Sequence, residues 1–122
     1  MNAELAALVH EPIGQGPLED ATHTSDGENP VCGDRLRFEA RLTGQRIESL
    51  RFRATACPAC IATASCAVRV LEGREVPVAK PIALLRAELA RCGGLSAFEQ
   101  HALALVEDVV IRCFRSHLES GR

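Results

Sequence analysis

Between Arg35 and Thr55 the chain alternates with a period of two. Leu36, Phe38, Ala40 and Leu42 interleave with Arg35, Arg37, Glu39 and Arg41. Successive side chains on a strand point to opposite faces, so this pattern predicts a strand with one apolar and one charged face. Thr43-Gly44-Gln45 reads as a turn. A second strand from about Arg46 to Thr55 then brings Leu50, Phe52 and Ala54 to the same apolar face. Ile47 is out of phase with them, which predicts a bulge near Glu48. An antiparallel hairpin of this kind has one wet face and one that something else must cover.

The cover comes from downstream, where the periodicity turns helical. Pro58 suits a first helical position and makes Cys57 the N-cap. Ile61, Ala64, Val68 and Leu71 follow on one face, and Gly73 closes the helix. Pro81 opens a second helix with Ile82, Leu85 and Leu89 inward, ended by Gly93-Gly94. Ser96 with Glu99 forms a capping box. A long final helix then carries Leu103, Val106, Val109, Val110, Phe114 and Leu118. Upstream, Asn2 to Val9 reads as a short helix, and Glu11 to Pro30, rich in Gly, Pro, Asp and Thr, as an irregular arm. The expected fold class is α+β: an antiparallel sheet, a hairpin with room for a third strand, and helices packed on one face. With 122 residues the chain is expected to be a single domain over 1–122, an arm over 1–30 and a core over 31–122.

Composition narrows the function. The net charge of −2 gives no basic field to attract nucleic acid. Four Phe, with no Trp or Tyr, leave few platforms for stacking bases. Met1-Asn2-Ala3-Glu4-Leu5 has neither a basic n-region nor a long apolar run, so the expectation is no signal peptide, no membrane span and a cytoplasmic location. Thiols stay reduced there. Six cysteines in so small a chain then suggest metal or sulfur chemistry more than a disulfide framework. Cys66, inside an Ala-rich stretch, reads as a small buried hydrophobe, and Cys92 as incidental.

Three places carry the chemistry. In Asn29-Pro30-Val31-Cys32-Gly33-Asp34, a Cys and an Asp flank a Gly whose freedom lets both point at one centre. In Cys57-Pro58-Ala59-Cys60, a thiol at a helix start meets the positive end of the helix dipole, which favours its thiolate. Cys60, three residues on, shares a face with it as a spare ligand or sulfur relay. In Arg112-Cys113 the thiol shares a helix face with Val109, and taken alone it reads as core. His10 could approach this chemistry, whereas His23, in a loop, and His101 and His117, on the polar side of the final helix, read as surface residues.

The run NPVCGD, the hairpin, the segment FRATACPACIATAS and the late basic–Cys pair resemble the IscU/NifU-like scaffold family. So does the arm LVHEPIGQGPLEDATHTSDGENP, in which His10 matches the family's histidine. The resemblance covers about residues 8–72 and returns near Cys113. It implies a SufE/NifU-like fold and four metal ligands at Cys32, Asp34, Cys57 and Cys113, holding zinc or a nascent [2Fe–2S] cluster. It also implies Cys113 and Cys32 as candidate sulfur acceptors. The implied partners are a cysteine desulfurase, and recipient iron–sulfur apoproteins or other scaffold proteins. Three thiolates and one carboxylate suit a tetrahedral zinc site, and a single hard ligand would loosen a cluster that must be handed on. Arg112 stands where Isc-type scaffolds have a His before the last Cys. This resembles the SufU type, whose members act chiefly as zinc-dependent sulfurtransferases. There, Arg112 would offset the negative charge of the site. Two other readings are a zinc-stabilised interaction module that moves no sulfur, and a thiol–disulfide enzyme using Cys57 and Cys60.

Overall fold

The computed structural model describes residues 1–115. Their order is α1 (Ala3–His10), β1 (His23–Glu28), β2 (Arg35–Thr43), β3 (Arg46–Thr55), α2 (Pro58–Leu71), α3 (Pro81–Arg91), a 3-10 turn (Ala97–Glu99) and α4 (Gln100–Cys113). The three strands form one antiparallel sheet in the order β1-β2-β3. The expected hairpin of β2 and β3 is present. Phe38 faces Phe52, their rings 6.0 Å apart and tilted by 46°, a favourable aromatic cross-strand pair. The pairing shifts at Arg41/Leu42, where Leu42 meets Ile47 and Glu48 is the extra residue. The bulge turns Ile47 inward, and it is fully buried.

The short helix expected from Asn2 to Val9 is α1, while the stretch from Glu11 to Pro30, expected to be irregular, contributes the third strand. Thr24, Ser25 and Asp26 pair with Glu39, Phe38 and Arg37. The sequence of β1, HTSDGE, has almost no apolar signal because Ser25 and Gly27 provide its inner face. The Ser25 hydroxyl donates to the carbonyl of Val109 at 2.6 Å. Any side chain at Gly27 would collide with Val109. The rest of the arm lies along the free edge of β3, with Gly16 N–H donating to the Phe52 carbonyl and Phe52 N–H to the Gly14 carbonyl. That edge is thereby kept from pairing with another chain.

Helices α2 and α4 cover the inner sheet face, with α1 and α3 flanking α2. The expectation for α2 was one apolar face. Instead it is buried almost all round, from Ala59 to Val68, with Ile61 half-buried. Its run of Ala, Ser, Thr and Cys is narrow enough for neighbours to close in on every side. Thr63 and Ser65 are satisfied there: Thr63 donates to the Ala59 carbonyl at 2.7 Å, and Ser65 accepts from Ile13 N–H at 3.1 Å. The expected capping box at Ser96 and Glu99 is present. His117 and Leu118, read above as part of the last helix, lie outside the described residues.

Candidate metal and sulfur site

The loop between β1 and β2 is closed by its own backbone. Asn29 N–H donates to the Asp34 carbonyl at 2.8 Å and Gly33 N–H to the Asn29 carbonyl at 2.7 Å. The Asn29 side chain takes the Val31 N–H at 3.0 Å. Gly33 has φ +79°, a left-handed conformation that costs glycine little. The tight bend leaves Cys32 exposed and turns Asp34 inward, where it is buried. Asp34 Oδ1 then accepts the N–H of Cys57 at 3.1 Å, tying the loop to the start of α2.

Cys57 is the N-cap of α2, as expected, and is half-buried. Burial pushes its thiol up. The N–H groups of Cys60 and Ala59 oppose that, and Asp34 adds to it. Behind it Cys60 is fully buried, its thiol pushed up to about 12 by burial and then by the charges of Cys57, Asp34 and Cys32. The thiols of Cys57 and Cys60 thus resist ionising beside their charged neighbours. A divalent cation among them would reverse that repulsion and release protons on binding.

The remaining group is one the sequence reading treated as surface. His101, on the first turn of α4, has its ring nitrogen Nε2 3.7 Å from the Cys57 sulfur. Its Nδ1 lies 2.8 Å from the Phe98 carbonyl, which can only accept, so Nδ1 donates there and Nε2 is the ring atom turned toward the Cys57 sulfur. Cys32, Asp34 and His101 each offer a ligand atom within 4.8 Å of the others. In a tetrahedral zinc site, sulfur and imidazole nitrogen would stand about 3.6 Å apart, close to the Cys57–His101 spacing. Two sulfurs, one nitrogen and one carboxylate oxygen are a donor set that zinc accepts. The arrangement fits such an ion. The group opens on a cleft of about 550 Å³ lined by Cys32, Cys57, Val31, Phe98 and His101, with Val31 and Phe98 almost wholly exposed.

Cys113 does not join this group. It follows His101 by twelve residues along α4, an axial separation of about 18 Å at 1.5 Å per residue. It is buried against β1, its thiol pushed up to about 11 by burial and eased by a hydrogen bond with Ser25. Arg112 is equally remote. It donates to the Asp26 carbonyl and pairs with Asp108, so it clamps α4 to β1 and offsets no site charge. The structure therefore does not bring Cys113, expected among the ligands and sulfur acceptors, into this group, nor Arg112 beside it. The histidine that reaches the site is His101, and the residue after it is Ala102. A signal existed, since Ser96 and Glu99 fix where α4 begins and so place His101 on its first turn. His10, at the end of α1, is exposed and is not part of the group.

With this geometry in place, comparison with known proteins gives the class. The model of the NifU-like N-terminal domain matches residues 2–119. The chain belongs to the NifU-like N-terminal domain family. It is 32% identical over 102 residues to an iron–sulfur cluster assembly scaffold protein IscU of Archaeoglobus fulgidus, covering 83% of this chain and 65% of that one. It is also 32% identical over 68 residues to the zinc-dependent sulfurtransferase SufU of Bacillus subtilis, covering 56% of this chain and 46% of that one. The chain spans less than two thirds of the length of the curated relatives it matches. The fold is also that of a NifU-like N-terminal protein from Brucella abortus, with a TM-score of 0.69 at 14% identity over 93% of this chain and 91% of that one. No described helix is long and apolar enough to cross a membrane.

Proposed function

We propose that this chain is an iron–sulfur cluster assembly scaffold or sulfur carrier, holding zinc or a nascent [2Fe–2S] cluster on Cys32, Asp34, Cys57 and His101. The carrying observation is the meeting of three separate segments: the β1–β2 loop, the start of α2 and the start of α4. They bring Cys32, Asp34 and His101 together, with Cys57 Sγ 3.7 Å from His101, beside a cleft lined by Cys32, Cys57 and His101. The relatives named as IscU and SufU support the same reading.

Cys32 is the candidate sulfur acceptor, being exposed on a loop tip that a donor can reach. Its thiolate would attack the outer sulfur of a desulfurase persulfide, and the donor cysteine would leave as thiolate. The rate would follow thiolate fraction and access. When bound, zinc would keep the thiols deprotonated near neutral pH. Asp34 holds the start of α2 against the loop while offering its free oxygen lone pairs. The Phe98 carbonyl fixes the His101 ring, so Nε2 faces the Cys57 thiol without reorganisation. A carboxylate and an imidazole bind a cluster less firmly than thiolates would, which suits release to a recipient apoprotein.

The test is elemental analysis and visible absorption of anaerobically purified protein, beside sulfide release by a cysteine desulfurase with and without the chain. Iron with colour supports the scaffold reading, and stoichiometric zinc with stimulated sulfide release supports the sulfur carrier. Metal with no stimulation and no persulfide on any cysteine would overturn sulfur transfer and leave a zinc-stabilised interaction module.

A further inference from the structure

One thiol at this site has no place in the ligand set. Cys60 lies behind Cys57 on the first turn of α2, with its N–H bonded to the Cys57 carbonyl at 3.0 Å. It is fully buried, and no hydrogen bond reaches its sulfur among the described residues. Residues 58 and 59 between the two are helical. Three residues on a helical turn put their α-carbons about 5 Å apart, within the roughly 4.4–6.8 Å between α-carbons that a disulfide takes. The outer thiol meets the cleft and the inner one does not. That is the asymmetry of a thiol that takes on a group and a second thiol that removes it.

We propose that Cys60 is a resolving thiol, an internal reductant that converts sulfane sulfur carried on Cys57 into free sulfide. This deepens the sulfur-carrier reading and rests on it. The sulfur reaches Cys57 directly, or from Cys32 across the shared cleft. In that exchange the Cys57 thiolate attacks the outer sulfur of the Cys32 persulfide, and Cys32 leaves as thiolate. In the resolving step Cys60 attacks Cys57 Sγ. The bond between Cys57 Sγ and the outer sulfur breaks, and a Cys57–Cys60 disulfide forms. The Cys60 proton passes to the outer sulfur, which leaves as HS⁻. Each cysteine sulfur gives up one electron and the sulfane sulfur gains two, so the step balances with no outside oxidant. A dithiol reductant then resets the pair. Sulfide is the oxidation state a cluster requires, and this step would produce it beside the metal ligands.

The test uses the whole chain, metal-free and anaerobic, loaded with inorganic polysulfide and freed of excess. Sulfide is followed over time, and intact and peptide masses are read. The wild type is expected to release its sulfide while losing two hydrogens to a Cys57–Cys60 cross-link. Cys60→Ala is expected to keep the extra sulfur and release sulfide roughly tenfold or more slowly, because an intramolecular partner is lost. Adding a dithiol should restore its release. Equal release from Cys60→Ala, or a wild type that keeps its persulfide, overturns the proposal. If Cys60→Ala does not fold, the wild-type peptide map decides: sulfide release without that cross-link also overturns it. Polysulfide bypasses the desulfurase, so the two failures are told apart: absent desulfurase stimulation counts against the carrier reading beneath this proposal, and absent release or cross-linking after polysulfide loading counts against the resolving thiol itself.

Discussion

His101 Nε2 and Cys57 Sγ stand 3.7 Å apart although 44 residues separate them in the chain. The pairing depends on where α4 starts. The capping box at Ser96 and Glu99 begins the 3-10 turn that runs directly into α4, and the Phe98 carbonyl fixes the ring. The two thiols and the carboxylate come from other elements, so each group can be removed separately.

Replacing His101 with Ala should weaken zinc binding by at least about a hundredfold, more than is usual for losing a supporting hydrogen bond to a ligand. Cys113→Ala should leave zinc affinity unchanged while costing about 1 kcal/mol of stability for a small buried void. Competition with a chromophoric chelator reads the first effect and urea unfolding the second. If zinc is lost from Cys113→Ala and kept by His101→Ala, the site has been placed at the wrong end of α4.

Asp34 has two roles that substitution can separate. Asp34→Asn keeps an oxygen for the Cys57 N–H but removes the charge, so metal affinity should fall while the metal-free protein keeps its stability. Asp34→Ala removes both and should cost about 1 kcal/mol more in the metal-free state, the usual loss for a helix-start acceptor. Equal stability of the two metal-free variants would show that the hydrogen bond to Cys57 contributes nothing.

Contact between β1 and α4 leaves no room for a Cβ at residue 27. Gly27→Ala should destabilise by about 1–3 kcal/mol through overpacking against Val109. Because α4 carries His101, zinc affinity should fall with it. Denaturant midpoints and zinc titration on the same sample check both, and a Gly27→Ala protein of wild-type stability would refute the packing argument.

Acid stability should report Glu88. Hydrogen bonding to Arg91, with Arg69 adding to it against burial, holds this carboxyl down to about 2 from an ordinary 4.5. A depressed folded-state value contributes stability above about pH 4.5 that is lost as pH falls toward 2. After allowance for solvent screening, Glu88→Gln should cost about 1 kcal/mol at neutral pH. The difference from wild type should close by pH 2. An undiminished gap at pH 2 would mean that the ion pairs are not its cause.

The alternation of β2 and β3, the bulge at Glu48, Cys57 as N-cap and the Ser96–Glu99 box were all readable in the sequence. Each is written within a few neighbouring residues, where periodicity and capping act. Strand β1 was not readable, because Ser25 and Gly27 face inward for reasons that lie in α4: a carbonyl to bond and a methyl to clear. Nor was the useful end of α4. His101 and Cys113 both sit on that helix, and nothing local to either says which meets the loop. Packing decided it. Ser25, Gly27 and Arg112 bind the C-terminal half of α4 to β1, which leaves its first turn facing Cys32 and Cys57. A helix is rigid over such a length, so with one end held against the strand only the other can reach the site.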